Sequence, residues 1–186
     1  MNKIDTIRDQ IPDYARDLSL NLSSVLTPQG APGLTRPQIF GTALASAIAS
    51  RNPEFAAQLE DALRDEMGPD IIRGARAAAA IMGMNNIYYR FVHLAEDGEY
   101  SRLPARLRMN VIRDPGVGRT DFELFSLAVS VINGCGLCIS SHARALETAG
   151  MTAEGIQSAA RIAAVVHAVA SLLEHAGAAA GLPAAA

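Results

Sequence analysis

The periodicity of the apolar residues constrains the fold of this chain more than any other feature. Apolar side chains recur at intervals of three and four residues along almost its whole length, and no convincing run of strict alternation indicates a β-strand. The chain also contains 34 alanines in 186 residues. Alanine has the highest helix propensity and a side chain small enough for helices to approach closely. The sequence therefore predicts an all-α fold, a compact helical bundle.

Capping residues and helix breakers locate the expected helices. Two short helices are expected near the N-terminus. Longer helices are expected over about 37–50, 53–67, 70–95, 121–133, 134–149 and 152–175, with a break between two of them at Asn133–Gly134. Residues 98–118 are expected to be mostly irregular. Thr120 and Glu123 match a capping box at the start of one helix, so Glu123 could be only a helix-cap residue.

A shift of 85 residues aligns two parts of the chain. It brings identical or similar residues into register: Phe40 with Phe125, Leu44 with Val129, and Arg76 with Arg161. Two separate helices that share one offset indicate an internal duplication, with two related helical halves around one core. We therefore expect a single all-helical domain over residues 1–175 and a frayed alanine-rich tail over 176–186.

Charge and composition exclude several classes of protein. With a formal net charge of -3, the chain has no excess of Lys and Arg to neutralise phosphates, so we expect no nucleic-acid binding. Charged residues occupy the N-terminus where a signal peptide needs an apolar run, and two cysteines cannot support a disulfide-rich secreted scaffold. Residues 124–141 are uncharged, but they contain too many serine, asparagine and glycine residues for a membrane span. The cytoplasm is the expected compartment.

Both cysteines lie in one short segment, Asn133-Gly-Cys-Gly-Leu-Cys-Ile-Ser-Ser-His142. In a helix that begins near Asn133, Cys135 and Cys138 lie on one face within disulfide distance, and His142 lies one turn beyond Cys138 on that face. The unpaired N–H groups at a helix N-terminus lower the pKa of a thiol there. The segment therefore favours a redox-active dithiol.

Glu123 joins this group if the chain reverses at Asn133–Gly134. Positions equally far from a turn face each other across two antiparallel helices, and Glu123 and His142 are almost equally far from this one. We therefore predict a carboxylate–imidazole pair beside the thiols, able to transfer protons as they change oxidation state. In one continuous helix, by contrast, Glu123 would lie about 18 Å from Cys135.

The residues alone leave other interpretations open. Cys135, Cys138 and His142 supply three ligands of a structural zinc site, for which Glu123 would have to be the fourth, and the thiols could also be buried and inert. The other histidines, His93, His167 and His175, are expected to be packing or surface residues. Met82 and Met84 are expected to fill the core.

The run from Phe122 to Cys135, followed by Cys138 and His142, resembles the alkyl hydroperoxidase D family within the carboxymuconolactone decarboxylase-like superfamily. Other segments are similar to sequences of the same family: Asp13-Tyr14-Ala15, Leu20-Asn21-Leu22-Ser23-Ser24, Arg51-Asn52-Pro53, Ala79-Ala80-Ile81-Met82-Gly83-Met84-Asn85-Asn86 and Leu107-Arg108-Met109-Asn110. The resemblance covers nearly the whole chain except its C-terminal tail. It implies an all-helical fold with an internal duplication and a homotrimer.

The resemblance also implies an antioxidant thiol–disulfide reductase with weak alkyl hydroperoxidase activity, no metal and no tightly bound cofactor. Such an enzyme regenerates a peroxiredoxin of the alkyl hydroperoxide reductase C type. Its electron donor is dihydrolipoamide, a dihydrolipoyl group on a 2-oxoacid dehydrogenase acyltransferase that dihydrolipoamide dehydrogenase keeps reduced. Carried over to this sequence, Cys138 attacks the peroxide or forms the mixed disulfide, Cys135 is its redox partner and proton donor, and Glu123 with His142 forms the proton relay.

Two features of this sequence disagree with what the family pattern implies. The helix dipole favours Cys135, nearer the helix start, as the more acidic thiol, whereas the family assigns the attack to Cys138. We follow the family, because His142 lies one turn from Cys138 and access also determines reactivity. Leu137 stands where members often have a second histidine, so we expect a relay of Glu123, His142 and water that supports thiol–disulfide exchange better than direct peroxide reduction.

The sequence is also compatible with two alternative functions. One is a carboxymuconolactone decarboxylase-type enzyme acting on a small lactone acid, which would need no dithiol. The other is a zinc-stabilised helical binding module.

Overall fold

Helices make up the regular structure of the chain. The computed structural model describes residues 3–95 and 98–180, and over these ranges the chain forms nine α-helices and three short 3₁₀ turns, with no strand. The α-helices are α1 (Lys3–Arg8), α2 (Arg16–Val25), α3 (Arg36–Ala49), α4 (Pro53–Leu63), α5 (Pro69–Leu94), α6 (Gly98–Arg102), α7 (Arg119–Ile132), α8 (Gly136–Thr148) and α9 (Ala153–Ala180). The prediction of an all-α fold is confirmed.

Two helices, α3 and α7, form the centre of the bundle. Residues 39–47 of α3 and 122–130 of α7 are buried without interruption. A helix that is buried on every side must be enclosed by other elements. The long helices α5 and α9 each pack against both central helices, α4 covers α3, and α8 lies against α7 and α5. The segment with both cysteines is therefore held against the centre of the bundle.

The close approach of α3 to α7 depends on Gly41. A Cβ atom at this position would overlap the ring of Phe125, which is fully buried. Because the ring has no room to move aside, we expect Gly41→Ala to lower the free energy of unfolding by about 1–3 kcal/mol.

Urea unfolding of Gly41→Ala and Gly83→Ala tests this prediction. Gly83 lies inside α5 on an exposed face, and a Cβ there would meet no atom within 4 Å. Gly83→Ala should therefore raise the free energy of unfolding by up to about 1 kcal/mol through helix propensity alone. Equal stability of the two variants would contradict the role given to Gly41.

Several predicted helix ends are confirmed. The side chain of Asn52 caps α4 by accepting the N–H of Phe55 at 2.9 Å, and the hydroxyl of Thr152 caps α9 by accepting the N–H of Gly155 at 3.2 Å. α8 ends before Gly150, which has a φ of +88°. In each case a local residue satisfies the backbone groups that a helix end leaves unpaired.

Other helix ends differ from the prediction. α4 ends at Leu63 and continues as a 3₁₀ turn to Glu66, short of the predicted end at residue 67. The region after residue 98 contains the short helix α6 and a 3₁₀ turn at Asn110–Ile112. α9 continues to Ala180, past the predicted end near residue 175. Residues 181–186 of the predicted tail lie outside the described residues.

The internal duplication stays a prediction. Helices α7, α8 and α9 begin close to the positions that a shift of 85 residues gives for α3, α4 and α5. This order of elements is what two related halves around one core would produce.

In the described part of the chain, one segment, Ala153–Ala176 of α9, is long and apolar enough to cross a membrane by length and composition. A core helix of a soluble protein passes the same test, and this helix packs against α2, α3 and α7. The uncharged stretch 124–141 is divided between α7 and α8. It therefore does not form the single long helix that a span requires.

Candidate dithiol active site

The turn between α7 and α8 places the first cysteine. Gly134 has a φ of +65°, its N–H bonds to the carbonyl of Val131 at 3.2 Å, and the N–H of Cys135 bonds to the carbonyl of Ser130 at 3.1 Å. These two bonds form a Schellman motif, in which the left-handed residue is usually glycine. A left-handed residue cannot lie inside a right-handed helix, so α8 begins only at Gly136. The predicted start near Asn133 was too early, and Cys135 is the N-cap of α8.

Cys135 and Cys138 form a disulfide, with their Cα atoms 5.3 Å apart. One cysteine caps α8 and the other lies in its first turn, so the three-residue spacing brings the sulfur atoms together as predicted. The N–H of Cys138 also donates to the sulfur of Cys135 at 3.3 Å. In the reduced protein this donor and the helix dipole would stabilise a thiolate at Cys135.

The two cysteines differ in access. Cys135 is 0% exposed, whereas Cys138 is 7% exposed and lines a cavity of about 400 Å³ that Cys135 does not line. Much of the cavity wall is apolar: Met82, Met109, Ile112, Phe122 and Leu137. A molecule that enters the cavity therefore reaches Cys138 first.

Glu123 and His142 meet across the α7–α8 hairpin. The Nδ1 atom of His142 lies 2.7 Å from Oε2 of Glu123, and both side chains are almost fully enclosed. This contact confirms the predicted reversal at Asn133–Gly134 and excludes a continuous helix. Both residues line the cavity that contains Cys138.

The hydrogen bond from His142 is the largest influence on Glu123 and lowers its pKa below the ordinary value of 4.5. Burial acts in the opposite direction, and the electrostatic interaction with His142 and the contact with Arg119 lower the pKa further. Glu123 is therefore an ionised carboxylate at neutral pH and can only accept hydrogen bonds. It follows that Nδ1 of His142 carries a hydrogen, and that Nε2 is the nitrogen able to exchange a proton with a group in the cavity.

The capping box predicted for Thr120 and Glu123 is wrong. α7 begins at Arg119 with Gly118 as its N-cap, and no side chain caps it. Glu123 therefore lies beyond the first turn, where the backbone N–H groups already bond to carbonyls. Its second oxygen, Oε1, instead accepts a hydrogen bond from Nε of Arg119 at 2.9 Å. The four-residue spacing of Arg119 and Glu123 was the signal in the sequence for this pair.

Loss of Arg119 is expected to raise the pKa of Glu123 but to leave it below 4.5, because the hydrogen bond from His142 is the larger cause. The Arg119 side chain is 72% exposed, so solvent screens its charge and the change should be small. NMR titration of the Glu123 carboxyl carbon in Arg119→Gln measures this change.

Arg144→Gln is the control for that titration. Arg144 and Arg119 line the same pocket on the outer side of Glu123, and no hydrogen bond joins Arg144 to Glu123 in the described part of the chain. An equal shift in both variants would show that general charge, not the Arg119 hydrogen bond, acts on the carboxylate.

A buried polar network holds the turn from the side of α5. The side-chain amide of Asn86 donates to the hydroxyl of Ser130 at 2.8 Å and accepts from the amide of Asn133 at 3.0 Å. Arg90 donates to the backbone carbonyl of Asn133 at 2.6 Å. These bonds join α5 to the end of α7 just before Cys135, and so fix the turn that positions the dithiol. Sequence reasoning missed this network, although two adjacent asparagines in an apolar helix were a signal for it.

The arrangement gives the zinc interpretation no support. Among residues 3–95 and 98–180, no group of three or more His, Cys, Asp or Glu side chains could hold a metal ion. Cys135 and Cys138 are joined in a disulfide, and Glu123 is already hydrogen-bonded to His142 and Arg119. Of the other residues considered, Met82 lies in the core as predicted, and Nδ1 of His167 lies 3.1 Å from the hydroxyl of Ser50.

Comparison with known proteins finds one matching family model and several similar full-length proteins that share one name. A model of the "Carboxymuconolactone decarboxylase family" matches residues 98–182. The alkyl hydroperoxide reductase AhpD of Gluconacetobacter diazotrophicus is 51% identical over 187 residues, covering 98% of this chain and 98% of that protein. Proteins of the same name from Rhodopseudomonas palustris and Coxiella burnetii are also 51% identical. These two alignments cover 92% and 91% of this chain, and 93% and 96% of the relatives.

Proposed function

The chain belongs to the family of alkyl hydroperoxide reductase AhpD proteins, and from this membership we infer an oxidoreductase whose Cys135–Cys138 dithiol reduces alkyl hydroperoxides and protein disulfides. One observation carries the proposal most directly. Cys138 lines a largely apolar cavity whose wall also contains the paired Glu123 and His142. The thiol of the reduced Cys138, a group that can carry its proton and a cavity for an apolar substrate are therefore close together.

Reduction of a hydroperoxide ROOH begins at Cys138. The thiol gives its proton to Nε2 of His142, and the thiolate attacks the terminal oxygen of the peroxide. A sulfur–oxygen bond forms as the oxygen–oxygen bond breaks. The alkoxide RO⁻ takes the proton back from His142 and leaves as the alcohol, so that Cys138 becomes a sulfenic acid.

Cys135 completes the reaction. Its sulfur attacks the sulfur of Cys138, the disulfide forms, and the sulfenic oxygen leaves as water with the thiol proton of Cys135. The sum is one hydroperoxide and two thiols converted to one alcohol, one water and one disulfide. Because Cys135 is the buried N-cap of α8, it lies within bonding distance of Cys138 and does not contact the substrate itself.

Glu123 supports the proton transfer. An ionised carboxylate at Nδ1 holds the imidazole in one orientation and stabilises the imidazolium that forms when Nε2 accepts a proton. Leu137 lines the same cavity and is 45% exposed, but it cannot carry a proton. The relay therefore consists of Glu123, His142 and water, and thiol–disulfide exchange should be faster than direct peroxide reduction.

Dihydrolipoamide is the electron donor in this proposal. One of its thiolates attacks Cys138 and releases Cys135, and its second thiol resolves the mixed disulfide to give the oxidised cyclic lipoyl group. The apolar cavity wall suits the aliphatic arm of a lipoyl group on a dihydrolipoyl acyltransferase, which dihydrolipoamide dehydrogenase would keep reduced. The two electrons reside in the dithiol between steps, so the cycle requires no tightly bound cofactor.

The remaining partners follow from the same chemistry. A peroxiredoxin of the alkyl hydroperoxide reductase C type would be reduced through a mixed disulfide at Cys138, the accessible cysteine. Ile87, Phe91 and Leu94 are exposed on one face of α5 and provide an apolar surface that a homotrimer would bury. The cytoplasm is the proposed compartment, because the reducing lipoyl enzymes must reach the dithiol.

Reconstitution tests this function. The protein is mixed with dihydrolipoamide, its dehydrogenase, NADH and an alkyl hydroperoxide, with and without a cognate peroxiredoxin. We expect NADH consumption that depends on the protein and rises when the peroxiredoxin is added. Two free thiols remaining after treatment with hydroperoxide or oxidised lipoamide would contradict the proposal.

The same preparation separates the alternatives. A double Cys135→Ser, Cys138→Ser variant with full activity on a small lactone acid would favour a decarboxylase, the activity named in the description of the matching family model. About one zinc per chain in anaerobically purified protein would favour the zinc-stabilised binding module.

A further inference from the structure

One residue in the wall of the cavity that contains Cys138 has a buried side-chain oxygen without a hydrogen-bond partner. Asn85, within α5, is 5% exposed, and its side-chain oxygen Oδ1 is buried with no hydrogen-bond partner. Asn85 lines the same cavity as Cys138 and His142. Buried polar side-chain atoms are nearly always paired in folded proteins, so an unpaired one on a residue that lines a cavity points to a partner supplied by a ligand.

The next residue shows what a structural asparagine looks like in the same helix. Asn86 is fully buried, and its amide is bonded to Ser130 and Asn133. The fold therefore uses one of the two adjacent asparagines to join α5 to α7. It makes no comparable use of the Asn85 oxygen.

We propose that Asn85 is a substrate-binding residue that holds the hydroperoxide group against Cys138. A hydroperoxide offers what this amide lacks, because its terminal O–H can donate to Oδ1 while its oxygen atoms can accept from Nδ2. Asn85 comes from α5, whereas Glu123 and His142 come from α7 and α8. Asn85 would thus hold the substrate from one side of the cavity, and His142 would exchange protons with it from the other.

The chemistry assigns a specific task to the amide. As the Cys138 thiolate attacks the terminal oxygen, the oxygen–oxygen bond breaks and negative charge develops on the oxygen that carries the alkyl group. A hydrogen bond from Nδ2 stabilises this charge until the alkoxide takes a proton from His142. No proton or electron passes through Asn85, which remains an amide throughout.

This inference rests on the proposed function and predicts a difference between two classes of oxidant. Hydroperoxides have the O–H group that Asn85 would bind, whereas an aromatic disulfide such as 4,4′-dithiodipyridine does not. Asn85 should therefore accelerate the reaction of Cys138 with hydroperoxides without affecting the reactivity of the thiol itself.

Stopped-flow oxidation of the fully reduced protein by tert-butyl hydroperoxide and by 4,4′-dithiodipyridine tests the inference. Asn85→Leu keeps the approximate size of the side chain and removes both hydrogen-bonding atoms. We expect its rate constant with the hydroperoxide to fall by about tenfold to a hundredfold, the loss of one hydrogen bond to a developing charge. The rate with the disulfide should stay within about twofold, the scale of ordinary variation beside such an effect.

Thermal unfolding provides the second readout. The Tm of Asn85→Leu should be unchanged or higher, because the variant loses an unpaired buried atom. Asn86→Leu is the matched control, with a lower Tm from its broken network. Asn85→Ala should show the same loss of hydroperoxide reactivity and keeps the test decisive if the leucine variant does not fold.

The outcomes separate this inference from the function on which it rests. Wild-type hydroperoxide rates in both Asn85 variants would overturn the inference alone, as would an equal slowing with both oxidants accompanied by a lower Tm. Absence of hydroperoxide oxidation in the wild-type protein would overturn both proposals.

Discussion

Replacement of Cys138 by serine is expected to abolish hydroperoxide reduction, with a fall in turnover of about a thousandfold or more, since covalent catalysis is lost with its nucleophile. Cys138 is the cysteine that lines the cavity, whereas Cys135 is fully enclosed. A serine hydroxyl at position 138 cannot be oxidised in place of the thiolate, and the protected sulfur of Cys135 cannot reach the substrate. NADH consumption in the reconstituted system measures the loss.

Cys135→Ser is the matched control, because it removes the other sulfur from the same disulfide. Without dihydrolipoamide or another added thiol, this variant should consume about one equivalent of hydroperoxide per chain and then stop, since Cys138 reaches the sulfenic acid and no thiol is present to resolve it. Dimedone labelling followed by mass spectrometry should find the sulfenic acid in Cys135→Ser and not in Cys138→Ser. The opposite labelling pattern would assign the attack to Cys135, as the helix dipole alone suggests.

The sequence predicted the contact between Glu123 and His142 because a local signal controls it. Gly134 is the residue that adopts the left-handed conformation after α7, and a glycine after an apolar helical run is a recognisable stop. Once the chain reverses there, distance along the chain from the turn decides which residues face each other. The closeness of Cys135 and Cys138 could be predicted for the same reason, since both lie within one turn of helix.

Contacts that depend on how separate helices pack could not be predicted from the sequence. Asn86 and Ser130 lie on α5 and α7, far apart in the chain, and only the packing of those helices brings them together. The unpaired state of Asn85 is likewise a property of the assembled cavity. The start of α7 was misplaced because Thr120 fits a capping pattern, whereas the structure begins the helix earlier, after Gly118, without a side-chain cap.

Glu123→Gln is expected to slow the oxidation of the dithiol by hydroperoxide by about a hundredfold, the usual range for assisted proton transfer. Glutamine is close in size and can still accept the hydrogen from Nδ1 of His142, so the imidazole should keep its orientation. The substitution removes the negative charge that stabilises the protonated imidazole. Stopped-flow thiol oxidation at pH 7 measures the effect of that charge.

The pH dependence of stability gives an independent check on the same variant. The pKa of Glu123 is lowered in the folded protein, chiefly by the hydrogen bond from His142. The ionised carboxylate therefore stabilises the fold fully above its ordinary pKa of 4.5, and this contribution is lost as the pH falls through the lowered value. The difference in unfolding free energy between wild type and Glu123→Gln should accordingly be largest above pH 4.5 and shrink in acid.

Glu60→Gln separates the chemical effect of Glu123 from the general effect of losing a buried carboxylate. Glu60 is also nearly enclosed, and it forms ion pairs with Arg64 and Arg76 away from the cavity that contains Cys138. Its loss should lower stability without slowing thiol oxidation, because no proton of the reaction passes near it. Equal rates in the two variants would leave Glu123 with only a structural role. A slow reaction confined to Glu123→Gln would assign the proton relay to the carboxylate that His142 contacts.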